Sequence, residues 1–64
     1  MCMVYEVTNN YGSGVFSTED DAIMAVGMLG KYHKMNIQPS DVKEQLNKNG
    51  SYERYPLVVR KCNN

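Results

Sequence analysis

Apolar and polar positions alternate over residues 3–8. Met3, Tyr5 and Val7 fall on one side, and Val4, Glu6 and Thr8 on the other. A period of two, carried by β-branched and aromatic residues, predicts a β-strand. The run Asn9-Asn10-Tyr11-Gly12-Ser13-Gly14 predicts a turn, because Asn and Gly tolerate backbone conformations closed to bulkier residues. Residues 14–17, with Val15 and Phe16, resume as a short second strand. The two strands form a β-hairpin.

The period then changes. Ser17-Thr18-Glu19-Asp20-Asp21 is a helix start: a hydroxyl can cap free backbone N–H groups, and three carboxylates sit where the helix dipole favours them. The helix is predicted over residues 18–34, with Lys31, His33 and Lys34 in its last turn. Ala22, Ala25, Val26, Leu29 and Tyr32 form one stripe at helical spacing, flanked by Ile23, and this stripe is assigned to the sheet. Gly27 and Gly30 interrupt the helix, each at a cost of about 1 kcal/mol relative to Ala. Either Gly30 ends the helix early as its C-cap, or the two glycines admit the close approach of a neighbouring backbone.

Gln38-Pro39-Ser40-Asp41 breaks the pattern again. Asp41 and Glu44 have capping-box spacing, helix formers follow, and Gly50 would end such a helix. The rival is a strand over residues 42–46 that turns at Asn49-Gly50. That register puts Val42 and Leu46 on the face of Tyr55, Leu57 and Val59, with Glu44 beside them. The pattern fits the helix slightly better, and both readings stay open. Residues 52–60 alternate once more and contain the run Leu57-Val58-Val59, which predicts one final strand with an edge or bulge at Pro56. Residues 62–64 are expected to fray. The expected class is α+β: one domain over residues 1–64, a small antiparallel sheet of three or four strands against one main helix, with or without a second short one.

Length narrows function. A chain of 64 residues holds one domain and buries only about 60% of its unfolded surface, which leaves no room for both a substantial core and an elaborate active site. No apolar run approaches the roughly 18 residues of a membrane span. The first residues have neither the basic nor the long apolar region of a signal peptide. Of the two cysteines, Cys2 and Cys62, one lies near each terminus, whereas a small secreted scaffold usually carries four or more. Reduced thiols and a cytoplasmic location are therefore expected, and Asn49-Gly50-Ser51 is read as a turn rather than a glycosylation site.

Charge and chemistry exclude more than they suggest. The formal net charge is zero, yet every acid of residues 1–30 is unopposed by a base, and the bases gather in residues 31–64. Helix-dipole compensation and a solvated surface are the leading account of this asymmetry; the alternative is a polar molecule whose two faces suit different partners, or each other in a dimer. Two thiols and the single histidine, His33, cannot make a four-ligand zinc site. Glu19, Asp20 and Asp21 fan out around a helix axis and do not converge on one metal. The same acids would repel an anion from the helix start, so Gly12-Ser13-Gly14 is not a phosphate cradle. No base–nucleophile pair is evident, so the expectation is a protein that is not an enzyme and needs no cofactor or metal.

Interaction surface remains. Met24 and Met28 share a helix face beside the core stripe, towards Asp20, Asp21 and Lys31, so the helix is apolar around more of its circumference than one sheet covers. Methionine packs adaptably and recurs on binding surfaces, and five tyrosines add amphipathic contact groups. The candidate partner or dimer interface is Met24, Gly27, Met28, Lys31 and Tyr32, with ordinary core filling as the competing reading of the methionines. A homodimer burying Met24 and Met28 is expected. The alternative function is a small nucleic-acid-binding regulator, whose face would be Tyr52, Arg54 and Arg60 on one strand.

The order of hairpin, acid-capped helix and final strand over residues 3–60 resembles that of small accessory proteins of bacteriophages. The resemblance implies a non-catalytic binder that blocks a host enzyme, a transcription component or an antiviral defence complex. It rests on element order, and no functional residue is carried over from it.

Overall fold

The structure is a computed structural model that describes residues 3–63. Strand β1 (Met3–Asn9) and strand β2 (Gly12–Phe16) form the first hairpin, with Asn9 paired to Gly12. The Asn9 side-chain oxygen accepts from the backbone N–H groups of Tyr11 and Gly12, each at 3.0 Å. This side-chain turn leaves only Asn10 and Tyr11 in the loop. The turn is thus tighter than predicted, and Gly12-Ser13-Gly14 belongs to the strand.

Helix α1 spans Glu19–Tyr32. Thr18 is its N-cap, and its hydroxyl accepts from the Asp21 N–H at 3.2 Å. The helix stops two residues before the predicted end. His33 is the C-cap, and Lys34 takes a left-handed φ of 59°. The Lys34 N–H donates to the Lys31 carbonyl and the Met35 N–H to the Gly30 carbonyl, the paired bonds of a Schellman ending. Gly30 is therefore not the cap.

Helix α2 spans Pro39–Asn49, which resolves the second half in favour of a helix. It begins with Pro in its first turn, where the missing N–H costs nothing. Gln38 is its N-cap and makes no side-chain cap, so Asp41 lies inside the helix rather than opening a capping box. Gly50 closes α2 at φ 77°, as the sequence leads one to expect.

Strands β3 (Ser51–Arg54) and β4 (Leu57–Asn63) replace the single final strand of the sequence reading. The chain reverses at Tyr55 and Pro56, joined by a cis peptide bond. β4 runs on to Asn63, which pairs with Met3, so residues 62 and 63 are held in the sheet rather than frayed. Cys62 is half-buried opposite Val4. Its expected companion thiol, Cys2, lies outside the described residues.

The result is an antiparallel four-stranded sheet in the order β2-β1-β4-β3. Two hairpins lie side by side, and the two helices pack against the sheet. Register decides which face is covered. Val7 pairs with Val59 and Val59 with Tyr52, and all three are buried with Leu57 beneath Ala22, Val26, Val42 and Leu46. One residue along, Glu6 pairs with Arg60, and with Thr8, Ser13, Glu53 and Val58 they line the opposite, open face. Truncating a side chain as enclosed as Leu46 costs about 2–5 kcal/mol, a large share of the roughly 3–10 kcal/mol available to a domain of this size.

Candidate protein-interaction surface

The two sides of α1 meet different surroundings. Ala22, Val26 and Gly30 lie on the buried side. Residues two positions along point away from the sheet: Met24 is 66% exposed and Met28 is 67% exposed. They are not core filling. Asp20, Ile23, Met24, Gly27, Met28 and Lys31 line a surface groove of about 590 Å³, closed at one side by Pro39 of α2. Its polar residues sit at the two ends of the α1 segment, Asp20 towards the N-terminus and Lys31 towards the C-terminus, with the apolar residues between them.

The two helical glycines separate here. A Cβ on Gly30 would collide with the Ile37 side chain, so the absent side chain is what lets the helix-to-helix connection fold down on α1. A Cβ on Gly27 would meet nothing within 4 Å. Gly27 is a dip in the floor of the groove that none of the described residues fills.

Four of the five sequence-predicted interface residues, Met24, Gly27, Met28 and Lys31, are brought together in this groove. Tyr32 is not among them. It is 69% exposed and turns towards the first hairpin, its ring edge-on to Tyr11 at 6.2 Å and to His33 at 5.3 Å. Its assignment to the core stripe is thereby corrected. His33 stacks on Tyr11 with centroids 6.3 Å apart, so the single histidine packs among tyrosines at the end of α1. Pro39 has no signal in the sequence, because its place at the groove depends on how α2 folds back, and local spacing carries no record of that.

The alternative nucleic-acid face does not assemble. Tyr52 is 4% exposed and belongs to the core, so it offers no ring to a base. Arg54 is exposed, and its Nη1 donates to the Asn36 carbonyl at 3.0 Å, tying the connection between the helices to β3. Arg60 stands on the opposite face of the sheet from Tyr52. A single strand over residues 52–60 would put the three on one face; the turn at Tyr55 and Pro56 reverses the chain and separates Arg60 from Tyr52 and Arg54.

Among the described residues, no helix is long and apolar enough to cross a membrane. Comparisons with protein-family models, with curated proteins and with solved structures find no match to this chain.

Proposed function

We propose that the chain is a non-catalytic protein-binding module whose contact surface is the outer face of α1. The observation that carries this reading is the exposure of Met24 and Met28 around the unfilled dip at Gly27. A small soluble domain gains nothing for its own fold by displaying two long apolar side chains next to a glycine in a helix interior. Contiguous apolar surface of this kind, rimmed by charge, marks contact with another macromolecule. Methionine suits such a surface because three rotatable bonds let it conform to a partner. The element order that suggests bacteriophage accessory proteins gains a second helix and a fourth strand in the structure, and the class of partner implied by that resemblance is part of the proposal: a host enzyme, transcription component or antiviral defence complex, inhibited by occupation of its surface in the cytoplasm.

The test is capture from a lysate of the host cell with the tagged protein. The expected result is a protein retained in stoichiometric amount, lost in Met24→Asp and in Met28→Asp, and retained within a few-fold by His33→Ala. Retention unchanged by both methionine variants would contradict the reading. So would retention of single-stranded nucleic acid with a steep dependence on salt, the signature of phosphate contacts.

A further inference from the structure

We propose that the α1 groove, when no target protein occupies it, is filled by α1 of a second copy of this chain, antiparallel, in the one register that sets Asp20 against Lys31; this rests on the reading of that face as a protein contact. Asp20, Met24, Gly27 and Lys31 follow one another at intervals of four, three and four residues, and all four line the groove. Alternating fours and threes are the spacing of a seam between two packed helices.

The seam is complementary to itself. Place a two-fold axis across α1, level with the midpoint between residues 25 and 26. Asp20 then lies level with Lys31 of the second copy, and Lys31 with its Asp20. Met24 lies level with Gly27 of the second copy, and Gly27 with its Met24. Each end gains an opposite charge, and each methionine meets a dip. The dip is vacant in this chain, since nothing lies within 4 Å of a Cβ placed on Gly27. A glycine there also lets the helix axes approach to the short end of the usual 8–10 Å range.

An unrelated helix would have to supply a cation, a hole, a knob and an anion in that order. A second copy supplies them by symmetry. The antiparallel arrangement also lays the N-terminal end of each helix dipole beside the C-terminal end of the other. Shifting the register by four residues sets Asp20 against Gly27 and carries Lys31 past the start of the facing helix at Glu19, so both ion pairs are lost and the charged ends select the register even though an exposed ion pair adds little affinity.

Charge reversal tests both the partner and the register. The wild-type chain at micromolar concentration should scatter light as twice its 7.3 kDa mass. Asp20→Lys alone and Lys31→Asp alone each create two like-charge contacts in the symmetric pair, and each should weaken the dimer at least about tenfold. Mixing the two variants should restore a dimer, because Lys at 20 then faces Asp at 31 of the other molecule, and the converse end remains native. Both positions are exposed, and unchanged circular dichroism confirms the fold of each variant. A wild-type monomer would overturn the proposal. A dimer indifferent to both reversals, or reversals not rescued by mixing, would also overturn it. A wild-type monomer whose target retention is still lost in Met24→Asp would leave the binding module standing without the second copy. A rescued dimer that retains no target would do the reverse.

Discussion

Two sides of one helix carry the same kinds of residue to opposite ends. On the inner side of α1, Ala22 and Val26 are completely enclosed and Gly30 is buried, and the missing side chain of Gly30 is filled by Ile37 of the same chain. On the outer side, Met24 and Met28 are long and two-thirds exposed, and the missing side chain of Gly27 is filled by nothing. A glycine in a helix interior costs about 1 kcal/mol relative to Ala. At Gly30 that cost is offset by packing within the fold. At Gly27 the fold returns nothing, and the proposed partner in the groove would offset that cost.

The contrast is broken most forcefully by charge. Val26→Asp places an unpaired carboxylate in a closed core, which costs more than about 3 kcal/mol and should unfold most of the population. In the monomer, at a concentration too low for a second copy to bind, Met24→Asp sits in water and should stay within about 1 kcal/mol of the wild type. Urea denaturation of the two variants reads both values. Equal destabilisation would mean that the outer side of α1 is part of the core after all.

The glycines give a smaller effect but opposite signs. Gly30→Ala drives a methyl group into Ile37 and should destabilise the fold by about 1–3 kcal/mol. Adding Ile37→Ala should recover part of that loss, a coupling expected for residues in direct contact. In the monomer, at a concentration too low for a second copy to bind, Gly27→Ala meets open space and should stabilise the chain by up to about 1 kcal/mol through helix propensity alone. Thermal melts of the two single variants should therefore move in opposite directions, and movement in the same direction would collapse the distinction between the glycines.

The smallest effect lies at the end of α1, where the two sides are brought to a close together. Lys34 holds a left-handed φ of 59° that glycine adopts without strain. Lys34→Gly should add roughly 0.5–1 kcal/mol. No change in melting temperature would show that the Schellman ending is not under strain at this residue.

Local chemistry made most of the fold legible before any coordinates. The alternation over residues 3–8, the acids after Thr18 and the glycine at position 50 each mark an element by a mechanism that acts within a few residues. The turn at Tyr55 and Pro56 was not legible, because alternation runs through residues 52–60 with only a two-residue break and no Asn-Gly pair to announce a reversal. That one reversal carried Tyr52 into the core and Arg60 to the far side of the sheet. Gly30 was misleading for a related reason: a residue without a side chain shows neither burial nor exposure in a pattern of apolar positions. The methionine face was legible because it is an excess. The helix carries more apolar surface than a sheet on one side can cover, and Met24 and Met28 are where that excess lies.

The most direct measurement follows the methionine methyl groups by NMR across a dilution series. Met24 and Met28 share the groove, whereas Met35 packs against the core of the same chain. The methyl resonances of Met24 and Met28 should shift with protein concentration while that of Met35 holds still. Methyl resonances of Met24 and Met28 that stay fixed across the whole series would contradict the seating of a second copy on the outer face of α1.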